Sequence, residues 1–312
     1  MRKALVLLLG LLLSVAALWG SPQAEERSLT ILGQADEDVT AYVLEQLAEQ
    51  YPDVTVEFLQ VDLSDGSTMT MDAMIAAGTP PDVYVDYMGR TSKYIDPAFA
   101  LDLSPYIDAA EFIPGTLGPV TRDGKILGIP MPGGAQAMVI NLKILDAIGE
   151  SDFDFDNWTV DEFLYLAEKV KAETDAYATY LFAGNQSGDY LWFNWLASFG
   201  GRLYDPGDYS KTAINTEAGL QFFTFLQHLV REGLAPAEAA VLTDDDYALE
   251  WAKGKVFAGA WFPAWVKPYF DAVTKQGLGG ADFEYRFVEF PRAAGVDSVP
   301  AAGSMAGVVV HR

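Results

Sequence analysis

The chain has 312 residues, no cysteine and a formal net charge of −24. The lack of cysteine excludes disulfides, thiolate metal sites and the lipid anchor that lipoproteins carry on an N-terminal cysteine. The strong negative charge repels nucleic acid and anionic membrane surfaces, which argues against either as a partner.

The N-terminus is predicted to be a secretory signal peptide. Arg2 and Lys3 supply the positive region, residues 4–13 form an apolar core, and a zone of small residues follows. The apolar run is shorter than the roughly 20 residues that a membrane span needs, and an uncleaved anchor is the alternative interpretation. We expect residues 1–24 to be removed on export and the mature protein to be periplasmic.

The first half of the mature chain alternates predicted strands and helices. A buried strand at 29–32 precedes a helix at 39–47 and an alternating strand at 54–58. A helix at 68–77 and a strand at 83–85 complete a β-α-β-α-β order, which predicts a parallel, doubly wound sheet. In such sheets ligands bind beyond the carboxyl ends of the strands.

The rest of the chain is predicted to be richer in helix. Residues 123–149 contain two short strands joined by a Pro- and Gly-rich segment, which suits a chain that leaves one lobe and enters another. Residues 159–162 read TVDE, a capping box that opens a helix. Further helical or strand patterns lie at 190–199, 216–232, 244–253, 256–261, 285–290 and 307–310.

Seven short segments follow one another along nearly the whole mature chain: YPDVTV at 51–56, GTPPDV at 78–83, DGKILGIP at 123–130, NWTVDEF at 157–163, GGRLY at 200–204, KGKV at 253–256 with GAW at 259–261, and GSMAG at 303–307. Each segment is weak alone. Together and in this order they resemble the extracellular solute-binding proteins of ABC importers, family 1, the maltose-binding-like group.

The resemblance implies an α/β protein with the two-lobed, type II periplasmic-binding-protein fold. Each lobe is expected to be a doubly wound sheet flanked by helices, with a hinge between the lobes. Residues 25–136 plus 291–312 are expected to form lobe one and residues 137–290 lobe two.

The resemblance also implies a function. A monomer closes on a sugar or oligosaccharide by hinge motion and delivers it to permease subunits in the inner membrane. No catalytic residue, cofactor or metal is expected in the protein itself.

Two departures from the family pattern accompany the resemblance. Members usually continue well beyond the segment at 303–307, so the chain is expected to be truncated at its C-terminus. At the hinge strand Asn141 matches the pattern, whereas Met138 and Val139 replace aromatic residues that are common there.

The implied cleft holds a sugar by aromatic stacking and by hydrogen bonds to its hydroxyls. Trp261 matches the tryptophan of the family's GPW segment. Trp192 and Trp195 share a predicted helix face, for which core packing is an equal alternative, and Trp251 is expected in the core. Other candidates are polar residues at predicted strand ends or chain crossings. For these, a helix-capping or surface-loop role is the alternative to ligand binding. The predicted ligand-binding residues are Gln34, Asp86, Tyr87, Met88, Gln136, Tyr190, Trp192, Trp195, Trp261, Trp265 and Ser304.

Enzyme and metal functions receive little support from the sequence. His228 and His311 are the two histidines, and no P-loop, Rossmann glycine triplet or Gly-x-Ser-x-Gly motif occurs. The segment DFDFDN at 152–157 resembles the start of a calcium loop, but Asn157 replaces the required glycine.

Other ligands and other classes stay open as alternatives. The acidic charge is compatible with a polyamine, and the fifteen tyrosines with ferric iron. A polyamine site needs two or more carboxylates that converge with aromatic walls. A secreted carbohydrate-active enzyme is the alternative from another class, because carboxylates are plentiful. A receptor whose liganded form signals to a membrane sensor is a further alternative.

Overall fold

The computed structural model describes residues 27–33, 37–61, 67–185, 189–277, 284–297, 299 and 303–311. Its strands are β1 Arg27–Gly33, β2 Val54–Gln60, β3 Val83–Tyr87, β4 Thr121–Arg122, β5 Lys125–Ile126, β6 Ile129–Ala135, β7 Ala137–Asn141, β8 Tyr204–Asp205, β9 Asp208–Thr212, β10 Ala258–Trp261, β11 Tyr285–Val288 and β12 Gly303–Val310. Its helices are α1 Glu37–Gln50, α2 Ser67–Ala76, α3 Met88–Thr91, α4 Leu142–Ala147, α5 Val160–Glu173, α6 Asp189–Ser198, α7 Glu217–Arg231, α8 Asp244–Ala252 and α9 Pro263–Lys275. Within these helices, none has the length and apolar character of a membrane span.

The first sheet has five strands in the order β2-β1-β3-β12-β6. β1 runs parallel to both β2 and β3, with Ile31 opposite Phe58 on one side and Val83 on the other. β12 runs antiparallel to its neighbours β3 and β6. The predicted parallel β-α-β-α-β start is therefore confirmed, and the last described strand completes the sheet by entering next to β3.

The second sheet has β7 at its centre. β10 and β11 both run antiparallel to β7, with Ala260 opposite Met138 and Phe287 opposite Val139. The outer edge of β10 is bordered by a parallel segment, because Phe257 N–H donates to Tyr177 O at 2.9 Å. The short strands arise from distant parts of the chain, so their pairing was not evident from local sequence pattern.

Each sheet carries its own hydrophobic core. The smaller core lies against the first sheet and includes Leu32, Tyr84 and Val309. The larger core surrounds the second sheet and is rich in aromatic side chains, since Trp158 and Trp251 are both buried in it. Two separate cores are the packing expected of a two-lobed protein.

The chain changes sheets at Gln136, because β6 belongs to the first sheet and β7 to the second. Gly134, at φ +133°, adopts a backbone conformation that side chains strongly disfavour. On the return path Arg292 still pairs with the second lobe, since its N–H donates to Trp158 O at 3.1 Å. We propose the lobe division that the sequence predicts, with one change. The return of the chain to lobe one is placed after residue 293 and not at residue 291, because Ala293 N–H still donates to Ser198 O of lobe two at 2.9 Å.

The predicted capping box opens α5. Thr159 Oγ1 accepts from Glu162 N–H at 3.2 Å, and the Glu162 carboxylate accepts from Thr159 N–H at 2.7 Å. Replacing Thr159 with Ala is expected to lower the free energy of unfolding by about 1 kcal/mol, because an N-terminal N–H of the helix loses its acceptor. Urea denaturation measures the change. The control Thr224→Ala removes an exposed hydroxyl inside α7, where a change within about 0.5 kcal/mol is expected. Equal losses in both variants would contradict the capping role.

Candidate functional site

The chain crossing at Gln136 lies at one end of the second sheet. Ala137, the next residue, is paired with Trp261 at the end of the β7–β10 ladder. A Cβ at Gly134 would lie 3.8 Å from the Phe262 ring. We call this region, defined by Gln136 and Trp261, the junction.

Gln136 is buried at the junction, with 3% of its surface exposed. Its Oε1 accepts a hydrogen bond from Asn194 Nδ2 on α6. The same Nδ2 donates to Leu191 O at 2.8 Å. A backbone carbonyl only accepts, so this second bond fixes which end of the Asn194 amide is the nitrogen. Gln136 must therefore turn its oxygen toward Asn194, and its Nε2 has no partner.

Trp261 is also buried, with 7% exposed. Its ring stacks on Tyr247 at a centroid distance of 5.1 Å and an interplanar angle of 18°. Tyr269 and Phe270 pack against it at 5.6 and 5.7 Å. The predicted stacking platform is therefore covered by the protein's own aromatic rings. Its indole Nε1, in contrast, has no hydrogen-bond partner.

Trp195 packs in the core of the second lobe, which agrees with the core-packing alternative, and its contact with a ligand stays a prediction. Only 2% of its surface is exposed, and its ring centroid lies 4.8 Å from those of both Phe163 and Phe225. Trp192, on the same helix, is half-buried and donates from Nε1 to Phe182 O at 3.1 Å. The two tryptophans thus share packing roles in the second lobe.

Asp86, at the carboxyl end of β3, is fully buried and engaged by three groups of its own lobe. It accepts from Tyr84 Oη at 2.5 Å and from Tyr87 N–H at 2.6 Å, and it forms an ion pair with Arg90 at 3.5 Å. These contacts give the carboxylate a structural role, and its contact with a ligand stays a prediction. A polar residue after a strand matched the expected pattern, but the pattern does not say which way the side chain turns.

Tyr87 is half-buried beside Asp86, and Arg90 lies 5.4 Å from its ring centroid. Burial raises the pKa of Tyr87, Arg90 opposes this, and the charges of Asp86 and Asp244 add to it. Asp244 belongs to α8 of the second lobe, so the start of α8 lies within electrostatic reach of this first-lobe residue.

Five predicted site residues cannot be assigned a side-chain environment. Gln34 lies outside the described residues. For Met88, Tyr190, Trp265 and Ser304 the structure describes the backbone alone: Met88 begins α3, Tyr190 and Trp265 lie on α6 and α9, and Ser304 is opposite Gly134 between β12 and β6.

Comparison with known proteins decides the family. The chain matches the family of bacterial extracellular solute-binding proteins over residues 33–309. It belongs to this family. The predicted family is confirmed, and the family is one of binding proteins.

This solute-binding protein is also similar to one named relative and to two solved structures. It is 26% identical to the lactose-binding protein of Rhizobium radiobacter over 293 residues, 85% of this chain and 64% of that protein. The chain thus spans less than two thirds of that relative's length. The GacH receptor of Streptomyces glaucescens GLA.O, solved unliganded and with acarbose, has a TM-score of 0.69 and 17% identity over 92% of this chain and 71% of its own.

A solute-binding protein of an ABC transporter from Thermotoga lettingae TMO, solved with α-D-tagatose, gives a TM-score of 0.69 at 20% identity, over 91% of this chain and 72% of its own. At these identities the likeness shows the fold alone. It confirms the two-lobed, type II periplasmic-binding-protein fold.

Asn194 and Tyr247 were missed by the sequence reasoning. Asn194 is fully buried in the helix DYLWFNWLAS, where apolar residues lie on both sides of it in sequence. A buried amide needs hydrogen-bond partners, so a single Asn among apolar residues was a usable signal. Tyr247 precedes Trp251 by one helical turn, and this spacing gave no sign that its ring covers Trp261.

Acidic side chains of the solute-binding protein cluster in the first turn of α8. Asp244 Oδ1 accepts from Asn185 Nδ2 at 2.6 Å, and Asp245 Oδ1 accepts from Tyr269 Oη at 3.2 Å. Carboxylates in this position also stabilise the positive end of the helix dipole. Each therefore has a role within the protein.

Tyr269 provides a pH-dependent test of this arrangement. Burial, followed by the nearby charges of Asp245 and Asp244, raises the pKa of Tyr269 to about 12, against about 10 in an unfolded chain. The resulting stabilisation is fully present below about pH 10 and is lost as the pH rises through about 12. The difference in ultraviolet tyrosinate absorbance between wild type and Tyr269→Phe is expected to titrate near 12, and Asp245→Asn is expected to lower that midpoint. A difference that titrates near pH 10 contradicts the contact.

Proposed function

We propose that this chain is the substrate-binding component of an ABC importer. It binds a neutral sugar or oligosaccharide between its lobes and delivers it to permease subunits in the inner membrane. Family membership supports the binding role. The named ligands of its relatives, lactose in one and tagatose or acarbose in others, support a sugar. The proposal includes export by the signal peptide to the periplasm, and reversible binding with no chemical reaction.

Two hydrogen-bond donors without a partner at the junction support a sugar as the ligand. Gln136 Nε2 and Trp261 Nε1 are buried N–H groups that lack an acceptor within the protein. Leaving such a group unpaired costs about 1–3 kcal/mol, so a ligand with acceptor atoms gains from meeting it. Sugar hydroxyl and ring oxygens accept hydrogen bonds, whereas a protonated amine offers donors only. This favours a sugar over a polyamine, and a ferric ion likewise offers no acceptor.

Lobe closure gives the proposal its mechanism. Within the described residues the chain passes from the first sheet to the second at Gln136 and is back in the first sheet at β12. A ligand that contacts both lobes stabilises the closed form by its greater affinity for that form. The permease then recognises the closed protein, which couples transport to the presence of ligand.

A thermal melt of the purified protein tests this function. Lactose, maltose, α-D-tagatose, spermidine and ferric citrate are added separately. A ligand at 100 times its dissociation constant adds about 2.7 kcal/mol, which corresponds to a rise of roughly 5–10 °C in the melting temperature for a protein of this size. A rise with a saccharide supports the proposal, and a rise with spermidine or iron alone refutes it. Chromatography of the recovered sugar separates binding from hydrolysis, since an enzyme would cleave lactose or maltose.

A further inference from the structure

The two edges of the second sheet differ. The edge at β10 is covered by the segment at 177–178, since Ala258 N–H donates to Ala178 O at 3.0 Å. At the other edge, the described part of the sheet has no strand beyond β11. Native sheets usually cover an edge or protect it with Pro, Lys or a bulge, because an open edge pairs readily with other chains. β11 reads YRFV, without Pro or Lys, so its outer edge is open to a partner.

The hydrogen-bond ladder shows which backbone groups of β11 face outward. The register places Glu284 opposite Leu142, and Leu142 N–H donates to Glu284 O at 2.9 Å. Bonded and non-bonded pairs alternate along an antiparallel ladder, so Phe287, opposite Val139, falls in a non-bonded pair. The N–H and C=O of Phe287 therefore point away from β7. Among the described residues neither group has a hydrogen-bond partner.

A cavity of about 280 Å³ lies at this outer edge. Residues 286–289 line one side of it, and the turn at 155–157 lines the other. The turn is held in place, because Asp156 N–H donates to Asp154 Oδ1 at 2.9 Å and Asn157 Oδ1 accepts from the Arg292 guanidinium. A wall that is already ordered lowers the cost of binding. We call this cavity, together with the outer edge of β11, the edge groove.

The side chains of the edge groove favour a segment with basic and apolar residues. Phe287 is 39% exposed and offers apolar surface. The lining includes the carboxylates of Asp156 and Glu289, and no salt bridge in the described part of the chain engages either. The cation of the lining, Arg286, lies 5.7 Å from the centroid of the Phe155 ring. With its net charge of −24, the protein attracts basic peptides and repels acidic ones.

We propose that the edge groove docks an extended basic peptide segment of another protein, which adds a strand to the second sheet beside β11. In this mode of binding, backbone hydrogen bonds hold the peptide and its alternate side chains give specificity. The N–H and C=O of Phe287 pair with the peptide backbone, and basic side chains approach Asp156 and Glu289. The edge groove is built by second-lobe residues alone, so the inference goes beyond the proposed sugar binding and does not depend on it.

Amide hydrogen exchange of the wild-type protein tests the docking, with the end-capped synthetic peptide KTKVKTK as the probe. At saturation the Phe287 amide is expected to exchange at least about 10-fold more slowly, because its N–H gains an acceptor. Two control peptides are expected to bind at least about 10-fold more weakly: ETEVETE, which carries the opposite charge, and KTKVKTK N-methylated throughout, which has no backbone donors. If KTKVKTK leaves the exchange of Phe287 unchanged, the proposal is overturned.

Two variants of Phe287 separate backbone pairing from side-chain contact. Phe287→Pro removes the outward N–H and spares the ladder to β7, because that N–H does not bond to β7. It is expected to weaken the binding of KTKVKTK by about 10-fold or more in isothermal titration calorimetry. Phe287→Thr, the matched control, shortens the side chain but keeps the N–H, and it is expected to bind the peptide more tightly than Phe287→Pro. Equal binding by the two variants would refute the added strand.

The carboxylates of the edge groove are tested with a double variant. Asp156→Asn combined with Glu289→Gln is expected to weaken the binding of KTKVKTK by about 3- to 10-fold at low salt. Glu49→Gln, exposed on α1 of the first lobe, is the control and is expected to bind as wild type does. If the double variant and the control bind equally well, the peptide is attracted by net charge alone and the groove assignment is wrong.

Light scattering distinguishes the peptide from a second copy of this chain as the occupant. The wild-type protein alone is expected to be a monomer. A wild-type dimer that Phe287→Pro converts to a monomer would show that a second copy pairs with β11, and would overturn the peptide assignment. Any saccharide-induced rise in melting temperature is expected to be the same in Phe287→Pro as in wild type. If the peptide docks and no saccharide raises the melting temperature, the proposed function fails while the edge groove stands.

Discussion

Replacing Asp86 with Ala is expected to lower the free energy of unfolding by about 3–5 kcal/mol. Asp86 is fully buried, and its removal leaves the Tyr84 hydroxyl and the largely buried Arg90 guanidinium without their shared acceptor. Breaking a buried hydrogen-bond and ion-pair network is among the most costly single changes in a protein. Urea denaturation measures the loss, and the first lobe is expected to unfold at lower urea concentration.

Asp72 is the matched control for Asp86. It also accepts from a tyrosine hydroxyl and a cation, Tyr94 at 2.7 Å and Lys93 at 2.7 Å, but 55% of its side chain is exposed. Asp72→Ala is therefore expected to cost at most about 1 kcal/mol. If Asp86→Ala were as stable as Asp72→Ala and lost saccharide binding instead, Asp86 would be a ligand contact and its structural role would be refuted.

Replacing Trp251 with Ala is expected to lower the free energy of unfolding by about 3–5 kcal/mol. Its side chain is fully buried, stacks on Phe270 at 6.1 Å and meets Tyr247 edge-on at 6.4 Å. The cavity left behind is walled by these rings, which are held by α8 and α9 and cannot collapse into it. The melting temperature and urea midpoint report the loss.

Leu220, 63% exposed on α7, provides the comparison for Trp251. Leu220→Ala is expected to change stability by no more than about 0.5 kcal/mol. A loss at Trp251→Ala no larger than at Leu220→Ala would contradict the second-lobe core as described, since no other single side chain fills more of it.

Regular elements of the first lobe were predictable because their signals are local. The alternation of strands and helices up to Tyr87 gave the parallel order, and the residues TVDE gave the start of α5. The antiparallel pairing around β7 was not predictable, because β10 and β11 lie far away in sequence and each is only four residues long.

The candidate site was harder to predict than the fold. Helical spacing placed Trp195 on one helix face with Trp192. The same spacing is compatible with a core and with a ligand cleft, so the sequence could not separate the two. In the structure, Phe163 and Phe225 pack against Trp195 in the core. Trp261 and Gln136 were expected at the ligand, and that expectation stays a prediction. What the structure adds is that Tyr247, from another helix, stacks on the Trp261 ring and covers one of its faces.

The most direct test of the account is native mass spectrometry of the purified protein after equilibration with lactose, maltose, α-D-tagatose and spermidine together. The proposed function predicts a one-to-one complex with a saccharide. A complex with spermidine, or no complex with any of the three saccharides, would contradict the central claim that this protein binds a neutral sugar.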